Sequence, residues 1–320
     1  MRPDTTTGGT LVRGVLPLLT YAVLTAALDV YGGHSLELVS PPALAALSFT
    51  MTALFFFGLE THRRSGTGWI GELLPHRRNL IGVNATTAVT WIATFYALDH
   101  LEPAVVNVLG LALGPVLTLI GGPLMRRGSA VLASEVVIAI GLCAVLGALV
   151  WGSFTGRSAL GAVSTSDAVL GVGFACACAV GSTANILYMK RLSDRGCPPN
   201  SVLATRFWLT AAVTWCLVGL EDRPQLAAAL LPAAVIAVIG VGLPIYVLQI
   251  GIRHTEPITT SLLVCASPLF AFLLQLLDGR LRPSAFTLGC ICASMALVAA
   301  GTLARARADS RRRRAATAEL

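Results

Sequence analysis

Long stretches without any Asp, Glu, Lys or Arg constrain the fold of this chain more than any other sequence feature. Eight of them reach 20 residues or more, and they cover residues 38–59, 79–98, 103–125, 136–156, 168–189, 224–252, 257–277 and 283–304. A helix needs about 20 apolar residues to cross the hydrocarbon core of a bilayer. Lipid-exposed open sheet would leave backbone groups unpaired there. The stretches therefore predict an all-α integral membrane protein.

Two shorter apolar stretches raise the predicted number of transmembrane helices to ten. One covers residues 14–28 and ends at Asp29, and the other covers about 199–220 and is interrupted by Arg206. The chain is 55% hydrophobic and only 12% charged, about half the charged share of a soluble domain. This composition excludes a disordered chain. The net charge of +7 is spread over short clusters, so we expect no nucleic-acid partner.

The distribution of basic residues predicts the orientation. If the N-terminus lies inside and the spans alternate, 18 of the 23 basic residues lie in inside segments and four in outside loops. Such a bias follows the positive-inside rule. It predicts a multi-pass plasma-membrane protein with cytoplasmic N- and C-termini, namely segment 1–11 and the basic tail 305–320. The remaining basic residue, Arg206, is expected to extend toward the cytoplasmic surface.

A four-residue motif that occurs twice predicts an internal repeat. His100-Leu101-Glu102-Pro103 opens the fourth span, and His254-Thr255-Glu256-Pro257 opens the ninth. Each motif precedes a mid-span proline, Pro115 or Pro268. Ten spans then divide into two five-helix repeats, residues 12–151 and 167–304, joined by an external linker, residues 152–166. Because five is odd, the second repeat must be inverted, as in many secondary transporters.

The repeated motif admits two interpretations. Glutamate and proline at a helix start are common for structural reasons, since the carboxylate complements the helix dipole and proline is tolerated in the first turn. Alternatively, the inverted repeat places one motif at each mouth of a pathway, where the side chains would form a gate or couple protons. The gate or coupling candidates are His100, Glu102, His254, Glu256 and, in the first span, Asp29.

Polar residues within the spans are the candidates for substrate binding, because polar groups inside a membrane are costly and usually face the bundle interior. The alternative for this set is hydrogen bonding between helices. The aromatic and amide side chains suit a small polar or aromatic solute. The candidates are Asn84, Thr87, Trp91, Thr94, Asn107, Asn185, Tyr188, Tyr246 and Gln249.

Two segments of the second half carry a resemblance to a known family. The run Ser267-Pro268-Leu269-Phe270-Ala271-Phe272-Leu273-Leu274 and the turn Leu277-Asp278-Gly279-Arg280-Leu281 resemble EamA-type permeases of the drug/metabolite transporter superfamily. The resemblance implies two inverted five-helix EamA-like repeats around a central cavity. It also implies alternating access, with export or exchange of small metabolites.

These observations favour a transporter over an enzyme. The expected partners are a small-molecule substrate and membrane lipid. The sequence is compatible with a homodimer and does not specify the oligomeric state. No cofactor and no metal site is expected. The alternative function is a membrane-embedded enzyme that acts on a lipid-linked substrate with His100 or His254 as its acid or base. No dense His/Asp/Glu cluster or nucleotide-binding loop in the sequence favours that alternative.

The predicted orientation is testable with reporter fusions. Green fluorescent protein fused after residue 320 should fluoresce, because the tail would lie in the cytoplasm. Alkaline phosphatase inserted into residues 152–166 should be active, because this linker would lie outside. An active phosphatase at the C-terminus and an inactive one in the linker would contradict the orientation.

Overall fold

Helices account for the regular structure of the chain. The computed structural model describes residues 14–125, 133–157, 159, 164–255, 257–279 and 281–318, and no strand occurs among them. The helices are α1 (Leu16–Ser35), α2 (Pro41–Arg63), α3 (Trp69–Leu73), α4 (Arg77–His100), α5 (Pro103–Met125), α6 (Ala133–Phe154), α7 (Thr165–Ser193), α8 (Pro199–Thr205), α9 (Trp208–Val218), α10 (Leu226–Val235), α11 (Leu243–His254), α12 (Pro257–Val264), α13 (Ser267–Gln275) and α14 (Ala285–Ala318). A short 3-10 helix (Leu74–His76) joins α3 to α4, and a π-helix (Ile236–Gly242) joins α10 to α11.

Among the residues that the structure describes, eight helical segments are long and apolar enough to cross a membrane. They are Leu16–Ser35, Pro41–Arg63, Trp69–His100, Ala133–Phe154, Thr165–Ser193, Pro199–Val218, Leu226–Leu248 and Ala285–Ala304. Two further apolar segments that the structure describes are shorter, namely Pro103–Gly114 within α5 and Leu262–Gln275, which covers the end of α12 and all of α13. Large apolar side chains such as Leu277 and Leu231 are exposed on these helices and the turns that end them, as expected for contact with lipid. The chain is thus an all-helical, multi-pass membrane protein, while the count of ten spans and the inverted repeat stay predictions.

The helices pack into two compact units, and each unit draws on both halves of the chain. The first contains the described residues within 1–27, 103–164 and 243–320, and the second those within 28–102 and 165–242. Neither unit coincides with one of the predicted repeats, 12–151 or 167–304. Compact packing and sequence repetition are different properties of a chain, so the repeat boundaries stay a prediction.

The largest helix contact in the second unit joins α4 to α7. It depends on small residues that let the two backbones approach each other. A Cβ atom added to Gly181 would lie 2.7 Å from Thr90 Oγ1 and 3.0 Å from the Thr90 backbone nitrogen. A Cβ atom on Gly82 would lie 2.5 Å from the Tyr188 ring. The glycines therefore set the distance between these helices.

The C-terminal end of α2 carries a buried carboxylate. Glu60 is 2% exposed, and its Oε1 accepts hydrogen bonds from Ser201 Oγ at 2.7 Å and Arg64 Nε at 3.3 Å. Because a buried charge is costly without donors, these two contacts allow the carboxylate to lie inside the protein. They also tie α8 to the end of α2.

In the first unit, α6 packs against α14. Phe286 lies against Gly152 and in an edge-on contact with the Trp151 ring, with 6.1 Å between ring centroids. Ser284 Oγ accepts a hydrogen bond from the Thr287 backbone N–H at 3.1 Å and donates one to the Arg157 carbonyl at 2.6 Å. Ser284 therefore caps the first turn of α14 and joins it to the segment that follows α6.

The close α4–α7 contact predicts a difference between two glycines of α7. Gly181→Ala should lower the free energy of unfolding by about 1–3 kcal/mol, because overpacking must be relieved by moving backbone. Gly173→Ala is the matched control, since a Cβ atom there meets nothing within 4 Å and alanine favours helix by about 1 kcal/mol. The unfolding midpoints of both variants in detergent measure the effect. Equal midpoints would contradict the proposed role of Gly181.

Candidate substrate-binding site

Two apolar segments that the sequence predicts as single spans are each broken into two helices. One break separates α8 from α9 at Arg206 and Phe207, and the other separates α12 from α13 at Cys265 and Ala266. Breaks at membrane depth are tolerated where protein or a cavity surrounds them, and transporters place them beside the substrate. The polar side chains around the two breaks are therefore candidates for substrate binding.

Three prolines lie in the middle of uncharged stretches, namely Pro115, Pro244 and Pro268, and they relate to the helix breaks in different ways. Pro268 lies in the first turn of α13, directly after the second break. Pro244 is the second residue of α11, directly after the π-helix. The backbone of α5 is helical through Pro115, whose side chain lies outside the described part of the structure.

Asn185 is the centre of a buried polar cluster in the second unit. It is 8% exposed, and its Nδ2 lies 2.9 Å from both Thr86 Oγ1 and Thr87 Oγ1 and 3.1 Å from the Val83 carbonyl oxygen. The cluster thus joins α7 to α4 and brings together two predicted binding residues, Asn185 and Thr87. These contacts fix the amide plane, and hence the direction of the Asn185 carbonyl oxygen.

Arg206 joins this cluster from the helix break. Its Nη2 donates a hydrogen bond to Asn185 Oδ1 at 3.3 Å, and its Cζ lies 5.0 Å from the centroid of the Phe207 ring. The guanidinium thus contacts a partner on α7 and the neighbouring aromatic ring. That its side chain extends toward the cytoplasmic surface stays a prediction.

An aromatic strip runs along the same unit. The Phe207 ring stacks on Phe49 with 5.7 Å between centroids, and Phe49 contacts Trp91 at 5.2 Å. Phe49 and Phe207 are fully buried, while Trp91 is half-buried. The strip therefore connects the guanidinium of Arg206 to a predicted binding residue, Trp91.

The remaining candidates of the second unit lie on α4, α7 and α1. Asn84 is half-buried, and its Oδ1 accepts a hydrogen bond from the Leu209 backbone N–H at 3.4 Å. Thr94 Oγ1 lies 3.1 Å from Cys178 Sγ. Tyr188 packs on Gly82, with the Arg191 guanidinium 5.5 Å from its ring centroid. Asp29, in α1, is 8% exposed.

The first unit holds the other binding candidates and a cluster of its own. Asn107 Nδ2 donates a hydrogen bond to Ser267 Oγ at 3.2 Å, and Ser267 Oγ lies 3.0 Å from Thr25 Oγ1. Ser267 is the first residue of α13, so this cluster surrounds the second helix break. Tyr246 is 64% exposed, and the side chain of Gln249 lies outside the described residues.

The two copies of the repeated motif are described to different extents. His100 Nδ1 lies 3.6 Å from Asp167 Oδ1, and its ring is parallel to that of Phe174, with 6.4 Å between centroids. Glu102 is 1% exposed. In the second copy, His254 is exposed at the end of α11, and Glu256 lies outside the described residues. The structure therefore leaves the gate and the helix-cap interpretations as alternatives.

Sequence reasoning missed several members of the second-unit cluster. Thr86 lies one residue before the predicted Thr87, Phe49 lies in the apolar stretch 38–59, and Phe207 directly follows Arg206. The charge of Arg206 inside a span was the available signal, because intramembrane charges are functional candidates by default.

Comparison with known proteins confirms the predicted resemblance over the second half of the chain. The sequence model of the EamA-like transporter family matches residues 169–303. Together with the apolar helices, this match indicates a membrane transporter. No curated protein matches the chain significantly.

Solved structures give the fold over nearly the whole length. Ten chains match. One of them, described only as the crystal structure of a protein, is 22% identical, has a TM-score of 0.61, and aligns over 92% of this chain and 97% of its own length. At this identity, the likeness shows a shared fold alone.

The Asn185 cluster predicts a large effect of one amide on stability. Asn185→Ala should lower the free energy of unfolding by about 1–3 kcal/mol, since it leaves buried polar partners without their hydrogen bonds. Ser182→Ala, one turn earlier on α7, is the matched control, because its hydroxyl bonds to the Ala179 carbonyl of its own helix. Unfolding midpoints in detergent measure both variants, and equal effects would contradict the central position of Asn185.

Proposed function

We propose that this chain is a secondary transporter of the plasma membrane that exports or exchanges a small metabolite by alternating access. The observation that carries the proposal is the broken span α8–α9, where Arg206 and Asn185 place a charge and an amide within apolar helices. The family match over residues 169–303 supports the same function.

The physical argument rests on the cost of polar groups in a bilayer. A guanidinium at the centre of a transmembrane helix costs about 2.5–3.5 kcal/mol on insertion scales. A chain that needed only a hydrophobic anchor would place leucine there instead. The broken helix and the buried charge are therefore features that favour binding of a polar solute.

In this proposal the binding candidates line the substrate pathway. Trp91 and Tyr188 provide half-buried aromatic faces in the second unit, and Asn84, Thr87, Thr94 and Asn185 provide polar groups beside them. In the first unit, the residues that line the pathway are Asn107, Tyr246 and Gln249. The motif residues His100, Glu102, His254 and Glu256, with Asp29, gate the pathway or couple protons to it.

Counterflow in proteoliposomes tests transport directly. The panel contains labelled amino acids, nucleosides and small aromatic metabolites, each with the unlabelled compound inside the vesicles. We expect uptake of one class, and we expect Trp91→Ala and Tyr246→Ala each to reduce it at least about tenfold, as for loss of an aromatic anchor worth about 1.4 kcal/mol or more. Trp215→Ala is the matched control on α9. Unchanged uptake in both variants would contradict these two assignments.

Glu102→Gln separates a proton-coupling role from a helix cap. We expect the variant to keep its unfolding midpoint and its exchange activity while losing uptake driven by a pH gradient, because glutamine cannot carry the proton. Glu135→Gln is the control, since Glu135 lies in the first turn of α6, as Glu102 lies directly before the first turn of α5. The helix-cap role predicts a different result. The unfolding midpoint would fall, as expected for a loss of about 0.5–2 kcal/mol of unfolding free energy, while gradient-driven uptake per folded protein would stay unchanged.

A further inference from the structure

We propose that one end of the second unit binds anionic phospholipid, with Arg63, Arg77 and Lys190 in contact with the headgroup phosphates. Arg63 ends α2, Arg77 begins α4, and Lys190 lies in the last turn of α7. We call this part of the unit the basic end. Lipid binding there is independent of the proposed transport function. Three features support it: the convergence of the helix ends, the helix faces that carry the basic side chains, and the charge that these side chains keep.

The ends of α2, α4 and α7 meet on one side of the second unit. A buried cluster contains side chains of α3, α4, α7 and α8, and a residue of α2 packs against it. The members from the three long helices are Phe57, Val83 and Leu192. Each of them lies less than two helical turns from the basic residue of its own helix. The three basic residues are therefore at the same end of the unit.

Each basic residue lies on the side of its helix that faces lipid. Residues four apart share one face of a helix, and a large apolar residue stands four positions before Arg63, after Arg77 and before Lys190. These apolar residues are Leu59, Ile81 and Ile186, which are 52%, 65% and 68% exposed. In segments that are long and apolar enough to span a membrane, such side chains contact acyl chains. A basic group one turn further out, about 5 Å along the helix axis, is therefore at the level of the headgroups.

The two arginines keep their full charge for an external anion. Both are exposed, and neither Arg63 nor Arg77 forms an ion pair within the described part of the chain. The neighbouring Arg64 differs, because it is paired with two glutamates. Lys190 Nζ lies 3.4 Å from Asp194 Oδ1, but both side chains are exposed, and such pairs contribute little.

The opposite end of the unit carries acidic side chains. There His100, at the end of α4, lies 3.6 Å from Asp167 in the first turn of α7. The exposed Asp99 precedes His100, and Glu221 accepts a hydrogen bond from Ser40 at 2.9 Å. Basic residues beside a membrane span are attracted to anionic leaflets. An anionic headgroup therefore matches the basic end and is repelled by the acidic one.

The test measures how lipids change the unfolding midpoint of the full chain in an uncharged detergent. Phosphatidylglycerol and phosphatidylcholine with the same acyl chains are titrated separately, and inorganic phosphate is titrated in a third series. A ligand that binds the folded state raises the midpoint by mass action, so each titration gives an apparent Kd. The test variant is Arg63→Gln/Arg77→Gln/Lys190→Gln. The matched control removes the same charge from exposed residues of the predicted outside segments, and it is Arg157→Gln/Arg223→Gln/Arg282→Gln.

We expect phosphatidylglycerol to raise the wild-type midpoint more than phosphatidylcholine does, and inorganic phosphate to leave it unchanged. Each basic residue near an anionic surface contributes about fivefold in affinity, so the test variant should bind phosphatidylglycerol about 100-fold more weakly. The control variant should match the wild type. Salt at about 1 M should suppress the response, because it screens exposed charges. Each shift is measured against the same variant without lipid, so the stability of the variant itself does not enter.

Three results would overturn the lipid assignment. Equal responses to the two lipids, or a test variant that responds like the wild type, would leave membrane orientation as the role of these basic residues. A response to inorganic phosphate would identify a site for a soluble anion instead. A control variant that loses as much affinity as the test variant would show that net charge, and no site at the basic end, governs the response.

Discussion

The bilayer offers no hydrogen bonds, and the rest of this structure follows from that constraint. Backbone groups must pair within helices, so the described chain is helical wherever it is apolar for about 20 residues. Where a span is interrupted, side chains from neighbouring helices surround the break: Asn185 meets Arg206 at one, and Asn107 meets Ser267 at the other. Each break is thus accompanied by a hydrogen bond between polar side chains of different helices.

The two clusters differ in charge. The cluster at Ser267 consists of hydroxyls and an amide, which suits hydrogen bonding between helices or to a neutral group. The cluster at Arg206 contains a full positive charge on an aromatic face. Its Asn185 is oriented by three contacts on α4.

Much of the fold could be predicted because charge marks the ends of membrane helices directly. The uncharged stretch 79–98 became the helix Arg77–His100, and 168–189 became Thr165–Ser193. The breaks were harder to predict. Only Pro268 gave a local signal, and the break at Arg206 and Phe207 has neither proline nor glycine. Phe207 is held by Phe49 and Phe56, which lie about 150 residues away in sequence. Likewise, Thr87 and Asn185 were both chosen as polar span residues, but their contact depends on tertiary packing.

The interleaved composition of the compact units has a consequence for biosynthesis. The second unit needs residues on both sides of a gap from Glu102 to Thr165, which takes several seconds to translate at about 5–20 residues per second. During that interval Thr86, Thr87 and Phe49 are already made, while Asn185 and Phe207 do not yet exist. Until then, the polar side chains of the early helices must bind other groups, such as lipid headgroups, water or the insertion machinery. A nascent chain interrupted at its midpoint would be a substrate for quality control rather than half of a working protein.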